Sequence, residues 1–163
     1  MIIAEKTFPV KDLETPKFIC LNTQTKSWND HNRVAMAIGA SLVSIKCKEQ
    51  NDEMKTMISG TTTWIGANDK ESEGKWKWSE DDSTFWSHGT TLLYSGWGEK
   101  QPNDYKGQDC GALGDDTNSK TWTDKWYDYD CDDEWFFQAV YLSDETIKNM
   151  ECKQYSSKCF CRF

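Results

Sequence analysis

Between Trp97 and Cys131 the chain gathers the side chains best able to do chemistry: Gln101-Pro102-Asn103-Asp104, then Gln108-Asp109-Cys110, then Trp126-Tyr127-Asp128. Their amide and carboxylate oxygens stand on a loop whose course a proline restricts. Hard cations such as Ca²⁺ take about six to eight oxygen ligands, and a loop with few regular hydrogen bonds of its own can wrap an ion. The stretch reads first as a cation and ligand loop, approached by an apolar strand ending at Trp97, with two cysteines placed to pin it to a neighbouring strand.

The elements that must hold this loop are legible from periodicity. Phe18 to Asn22 reads as a first strand after an extended lead-in containing Pro9 and Pro16. From Ser27, the residues Trp28, His31, Val34, Ala35 and Ile38 recur at three- and four-residue spacing and Gly39 closes the run, the pattern of an amphipathic helix. Ser41 to Ile45 reads as a short strand. A second helix spans about Lys48 to Ile58, with Met54, Met57 and Ile58 on one face. From Thr61 onward the chain is a string of short aromatic strands and polar loops: Thr62 to Gly66, the alternating Lys75-Trp76-Lys77-Trp78, and Leu92 to Trp97 leading into the long loop. The acidic runs at Asp115-Asp116 and across 124–134 read as solvated loops.

Composition narrows the function classes. The 163 residues suit one domain with a real core. A formal net charge of -8 argues against phosphate-backbone partners, which need clustered Lys and Arg. No apolar run is long enough for a membrane span. The Met1-Ile2-Ile3-Ala4 start is too short for a secretory h-region, so an exported chain has lost its signal or leaves by another route. Seven cysteines, at 20, 47, 110, 131, 152, 159 and 161, lack the paired spacing of a zinc site and read as disulfides. That implies an oxidising compartment, extracellular or secretory, and the odd count leaves one thiol free, capped or available for a disulfide-linked dimer. Nine Trp fill a core or present rings to a sugar face or a protein.

In order and spacing, the landmarks Gly39-Ala40-Ser41-Leu42-Val43-Ser44-Ile45, Trp64-Ile65-Gly66-Ala67, Trp76-Lys77-Trp78, Trp97, Gln101-Pro102-Asn103, Asp109-Cys110 and Trp126-Tyr127-Asp128 before Cys131 resemble the C-type lectin-like domain family. The resemblance covers roughly residues 18–142, leaving 1–17 as lead-in and 143–163 as a cysteine-rich C-terminal tail. It implies an α+β fold with two helices, two small antiparallel sheets and a long calcium and ligand loop region. One family disulfide would join Cys110 to Cys131. The other has both partners replaced, at Ala35 and Ala139, so no orphan thiol results. Cys20, Cys47 and the tail cysteines would then form further bridges that pin the tail to the first strand. In a rival register Cys152 and Cys161 are the last two family cysteines and Trp122-Thr123-Asp124 replaces the Trp126 motif.

Carried over position by position, the principal Ca²⁺ and sugar site falls on Gln101, Asn103, Gln108, Tyr127 and Asp128, where Asp128 alone brings a charge. The resemblance implies a weakened principal site. An auxiliary Ca²⁺ site falls on Asp69, Glu73, Asp104 and Asp109, all carboxylates, which would repel by roughly a kcal/mol for each close pair without a cation. In the family the peptide bond before the loop proline is cis when Ca²⁺ is bound. Gln101-Pro102-Asn103 has an amide on each side of the proline, so it matches neither the mannose-type nor the galactose-type pattern. Trp86, Trp97 and Trp122 are the candidate stacking rings. The resemblance implies a lectin that binds a glycan or glycoprotein, or a lectin-like domain that recognises a protein receptor or ice. His31 and His88 have no nucleophile in a recognisable arrangement, so no catalytic residue is expected.

Overall fold

The computed structural model describes residues 16–58, 61–114, 125–134, 137–156 and 159. Strand β1 (Phe18–Asn22) leads into helix α1 (Trp28–Ala37). Ser27 caps α1 by accepting the Asp30 N–H at 3.1 Å, satisfying one of the free donors of the first turn. Trp28, His31 and Ala35 turn inward at helical spacing, and the Trp28 indole donates to the Ile65 carbonyl at 2.8 Å, tying the helix to the central strand. After β2 (Ser41–Leu42) comes α2 (Lys48–Ile58), which buries Asn51, Met54 and Ile58.

The remaining elements are strands: β3 (Thr63–Asn68), β4 (Lys75–Trp78), β5 (Thr84–Ser87), β6 (Thr90–Thr91), β7 (Cys110–Leu113), β8 (Trp126–Tyr129), β9 (Gln138–Ser143) and β10 (Glu151–Gln154). Two antiparallel groups are recognisable, β10-β1-β9 with β2, and β3-β4-β5-β6 with β7 and β8. They are joined into one mixed sheet because β3 also pairs parallel with β9 through Thr63 and Trp64. Being paired on so many sides, β3 is buried along most of its length and reads as a continuous run rather than an alternating one.

One core cluster holds Trp76, Trp78, Phe85 and Trp126 with Ile65 and Val140; the other holds Trp28, Trp64, Phe137 and Tyr141. Ala35 and Ala139 lie fully buried together in the second cluster, so apolar packing fills the place where the family's missing disulfide would stand. Among the described residues three disulfides are present: Cys110–Cys131, Cys20–Cys152 and Cys47–Cys159. Cys152 is thus bonded to Cys20, which does not match the rival register; Cys161 and the 122–124 segment lie outside the described residues, as do Asp115 and Asp116.

Two expectations about strands need correction. The ladder at Ser41 stops at Leu42, although Val43 still donates to Val140 O and accepts from Gly66 N. Leu92 to Trp97 is no strand: Leu92 and Leu93 are exposed, and Trp97 contributes one isolated bridge to Trp126. The run is apolar because Tyr94 and Trp97 pack on the core, and it cannot be regular because it passes directly beneath the Trp126 indole at Gly96.

Candidate functional site

Strand β8 carries the peg on which the proline loop hangs. The Asp128 carboxylate, only 3% exposed, accepts at Oδ2 from the N–H groups of Asn103 at 3.0 Å and Asp104 at 2.7 Å. Burial pushes its carboxyl above the ordinary range, and those two donors pull it back in part. The loop closes on itself elsewhere: Gly98 N–H donates to Trp126 O, Gln101 N–H to Gly98 O, and Gly107 N–H to Asp104 O. Asp104, Lys106 and Gly107 all have positive φ, so the chain curls tightly around 104–107. The Gln101–Pro102 bond is cis.

Two oxygens beside this peg are buried without a donor among the described residues: Gln101 Oε1 and Asp128 Oδ1. The other sequence candidates are placed less simply. Asn103 Oδ1 accepts the Tyr105 N–H at 3.0 Å, an Asx turn that draws this amide onto its own loop. Gln108 is half-buried. Tyr127 is buried, its ring against Gly98, where a Cβ would come within 3.0 Å of Tyr127 Cζ and Oη. A phenol therefore fills the space that a carboxamide would share with the loop.

The turn after β3 builds a second cluster. Asp69, Glu73 and Asp109 bring ligand oxygens within 4.8 Å of one another. The Asp69 N–H donates to Asp109 O at 3.0 Å, which fastens the turn to the strand entry at β7. Gly74, at φ +79, donates its N–H to Asp69 Oδ2 at 2.9 Å, while Asp69 Oδ1 is buried with no donor among the described residues. Burial first, then the charges of Glu73 and Asp109, push the Asp69 carboxyl up to about 8 against the single Gly74 hydrogen bond. Glu73 is also raised, by desolvation and then by Asp104 and Asp109. Asp104 acts on Glu73 through its charge but stands outside the three-residue cluster, its N–H bonded to the Asp128 peg.

Three carboxylates, one of them with a buried orphan oxygen, are a donor set suited to a hard divalent cation, with water and further oxygens completing its shell. The Gln101 and Asp128 pair is a leaner set of the same chemistry. The site lies at one end of the central strands, held by β3, β7 and β8 and stapled by Cys110–Cys131.

The family model for the lectin C-type domain matches residues 24–137. The chain belongs to this family. Among curated relatives, Lectin BRA-3 of Megabalanus rosa is 30% identical over 112 residues, covering 68% of this chain. The chain spans 62% of that relative's length. Of solved structures, the mouse scavenger receptor C-type lectin carbohydrate-recognition domain superposes with a TM-score of 0.63 at 22% identity, covering 80% of this chain and 91% of that one. A calcium-independent type II antifreeze protein superposes with a TM-score of 0.62 at 19% identity, covering 78% of this chain and 85% of that one. At these identities the superpositions establish the C-type lectin fold.

Within this C-type lectin domain, reading the sequence missed three positions. Tyr105, 62% exposed, stands at the loop apex with the Lys106 ammonium 5.2 Å from its ring centroid. An aromatic flanked by Asp, Lys and Gly in a polar loop has nothing to pack on, and that was the available signal. Gly74 and Gly98 carry no signal of their own in the sequence, yet one donates to Asp69 Oδ2 and the other makes room for Tyr127. Of the expected stacking rings, Trp97 and Trp86 are both half-buried against the core, the Trp97 ring 4.6 Å from Trp76 and 6.4 Å from Trp86; Trp122 lies outside the described residues.

Proposed function

We propose that this C-type lectin domain is a Ca²⁺-associated carbohydrate-recognition module, without catalysis, working in an oxidising extracellular or secretory setting. The observation that carries the reading is the trio of oxygens, Asp69 Oδ1, Gln101 Oε1 and Asp128 Oδ1, that the fold removes from water and leaves without donors. Each buried unpaired acceptor costs about 1–3 kcal/mol, a cost that a cation would offset. Asp69, Glu73 and Asp109 would hold the ion that orders the loop, with Asp104 adding charge nearby. Gln101 and Asp128, with Asn103 and Gln108 at the rim, would face the second position. When bound there, Ca²⁺ supplies open coordination positions that vicinal hydroxyl groups can fill.

The chain's own residues do the rest. Asp128 fixes the loop through two backbone N–H groups, so the acceptors of Gln101 and Asp128 are placed before any ligand arrives. Tyr105 offers an exposed ring for the apolar face of a sugar, with Lys106 against it. The name of Lectin BRA-3, the relative at 30% identity, agrees with a glycan as partner.

A second reading has its own observation. Tyr127 takes the place of a carboxamide ligand and is packed against Gly98, which favours a domain that keeps a structural ion and recognises a protein or another surface such as ice. Glycan-array binding in Ca²⁺ and in chelator, beside thermal melting in both, separates the two. Array binding that Ca²⁺ supports and Tyr105→Ala abolishes is the outcome expected of the lectin. A melting shift of several degrees without glycan binding would select the second reading, because an ion that binds only the folded state stabilises it by mass action. No shift and no glycan binding would overturn both.

A further inference from the structure

At the far side of the sheet from the loop, β10 is the terminal strand and β1 lies just inside it. The two sequences are opposite in character. Strand β1 is Phe-Ile-Cys-Leu-Asn, uncharged and without proline, and would be an aggregation-prone edge if open. Strand β10 is Glu-Cys-Lys-Gln, with the alternating charges that natural edges carry. Residues 151–154 thus have the sequence of a guard, and residues 18–22 have the sequence of something guarded.

The guard is tied at several points outside its own ladder. Cys152 is bonded to Cys20 at the position directly opposite, and Cys159 to Cys47 at the start of α2. Lys153 Nζ donates to Glu53 O at 3.1 Å and to Thr56 Oγ1 at 2.8 Å on α2. Tyr155 is buried and its hydroxyl donates to Ser44 O at 2.9 Å, while Ser156 N–H donates to the Glu53 carboxylate. Beneath it, β1 keeps a full second ladder with β9, so it does not depend on β10 for its place in the sheet.

We propose that the C-terminal segment is a disulfide-tied edge guard, and that its release opens β1 for antiparallel pairing with β1 of a second copy of this chain. A dithiol reductant opens the Cys20–Cys152 and Cys47–Cys159 bonds: each S–S bond takes two electrons and two protons to give two thiols, and each reductant dithiol closes to a disulfide. The Cα atoms of Cys20 and Cys152 are 4.1 Å apart, the spacing of a non-hydrogen-bonded pair. By alternation, Ile19 and Leu21 exchange backbone bonds with Lys153 and Glu151, consistent with Tyr155 N–H donating to Lys17 O at 2.8 Å. Cys20 and Asn22 direct theirs toward β9. Release therefore frees a defined set of groups, the backbone amides and carbonyls of Ile19 and Leu21, at an edge of low charge.

The test is the full chain with Cys20, Cys47, Cys152 and Cys159 all changed to Ala, keeping Cys110–Cys131. Light scattering after size exclusion is expected to show a dimer for this variant and a monomer for the parent. A synthetic peptide of residues 147–156 is expected to return it to monomer. In dilute monomeric samples the Ile19 and Leu21 amides are expected to exchange at least about tenfold faster than in the parent, with the Asn22 amide unchanged. A monomer whose Ile19 and Leu21 amides stay as protected as the parent's overturns the proposal. So does a chain that no longer folds, since the segment would then be a part of the domain's stability rather than a releasable guard.

Discussion

Gly74 donates its N–H to Asp69 Oδ2 at 2.9 Å, and the other oxygen of that carboxylate is buried with no donor among the described residues. The fold has removed a carboxylate from water beside Glu73 and Asp109 and satisfied half of it. Its carboxyl is pushed up to about 8 as a result, and protons and a cation must compete for it.

The sign of that competition is fixed. Without metal the folded state holds a proton on Asp69 up to about pH 8, whereas the unfolded chain releases it near 3.8. Folding of the metal-free chain is therefore favoured least above pH 8 and gains from this group as pH falls toward 4. Ca²⁺ affinity runs the other way, rising with pH until it levels off above about 8. Titration calorimetry in buffers of different ionisation enthalpy is expected to record proton release on Ca²⁺ binding at about pH 7, and an affinity flat with pH would count against it.

Asp128→Asn removes the charge that accepts from Asn103 and Asp104. Hydrogen bonds to a charged acceptor contribute about 1.5–3 kcal/mol each, so faster amide exchange at 103 and 104 is expected. Part of that loss is offset because a buried charge is also removed. Glycan affinity in Ca²⁺ is expected to drop by at least about tenfold, the equivalent of one such bond, with little change in melting temperature.

Gly96→Ala should be costly for a reason unrelated to turns. A Cβ there would stand 2.7 Å from Trp126 Cε2 and Nε1, and Trp126 cannot yield because it is fully buried and its indole donates to Asn51 Oδ1 at 2.8 Å. Overpacking of this kind costs about 1–3 kcal/mol. Urea unfolding measures it, and an unchanged midpoint would show that the indole has room to move.

His31 sets a separate limit at acid pH. It is fully buried between the Tyr141 hydroxyl and Phe137 O, and desolvation, only partly countered by the Phe137 hydrogen bond, lowers it from 6.5 to about 4. The unfolded chain takes up this proton first as pH falls. Its stabilising effect is thus complete above about 6.5 and lost between 6.5 and 4, about 3 kcal/mol in all. Denaturant midpoints of His31→Gln are expected to flatten across that window; a slope equal to the parent's would place the acid sensitivity elsewhere.

Periodicity located α1, α2 and β1 to within a residue or so, because Trp28, His31 and Ala35 or Asn51, Met54 and Ile58 sit at helical spacing whatever lies around them. It failed at Leu92 to Trp97, where apolar character reflects Tyr94 and Trp97 packing on Trp126 rather than a ladder. In the site, the resemblance named Asp69, Glu73, Asp104 and Asp109 as one cluster, and the fold brings ligand oxygens of Asp69, Glu73 and Asp109 within 4.8 Å of one another. Asp104 stands outside that trio, and its N–H bond to Asp128 is one that no pattern of side chains announces. Tyr127 was read as a substituted ligand; that its ring demands Gly98 is a packing fact, invisible until strand β8 and the loop are in place.

The central claim is that a cation held by this loop is what binds the glycan. Retention of the full chain on an immobilised sugar chosen from the array, loaded in Ca²⁺ and washed with chelator at constant ionic strength and pH, tests it most directly. Retention in Ca²⁺ and prompt elution by chelator, with Asp69→Asn retained more weakly than the parent, is the expected result. Equal retention with and without chelator would contradict it.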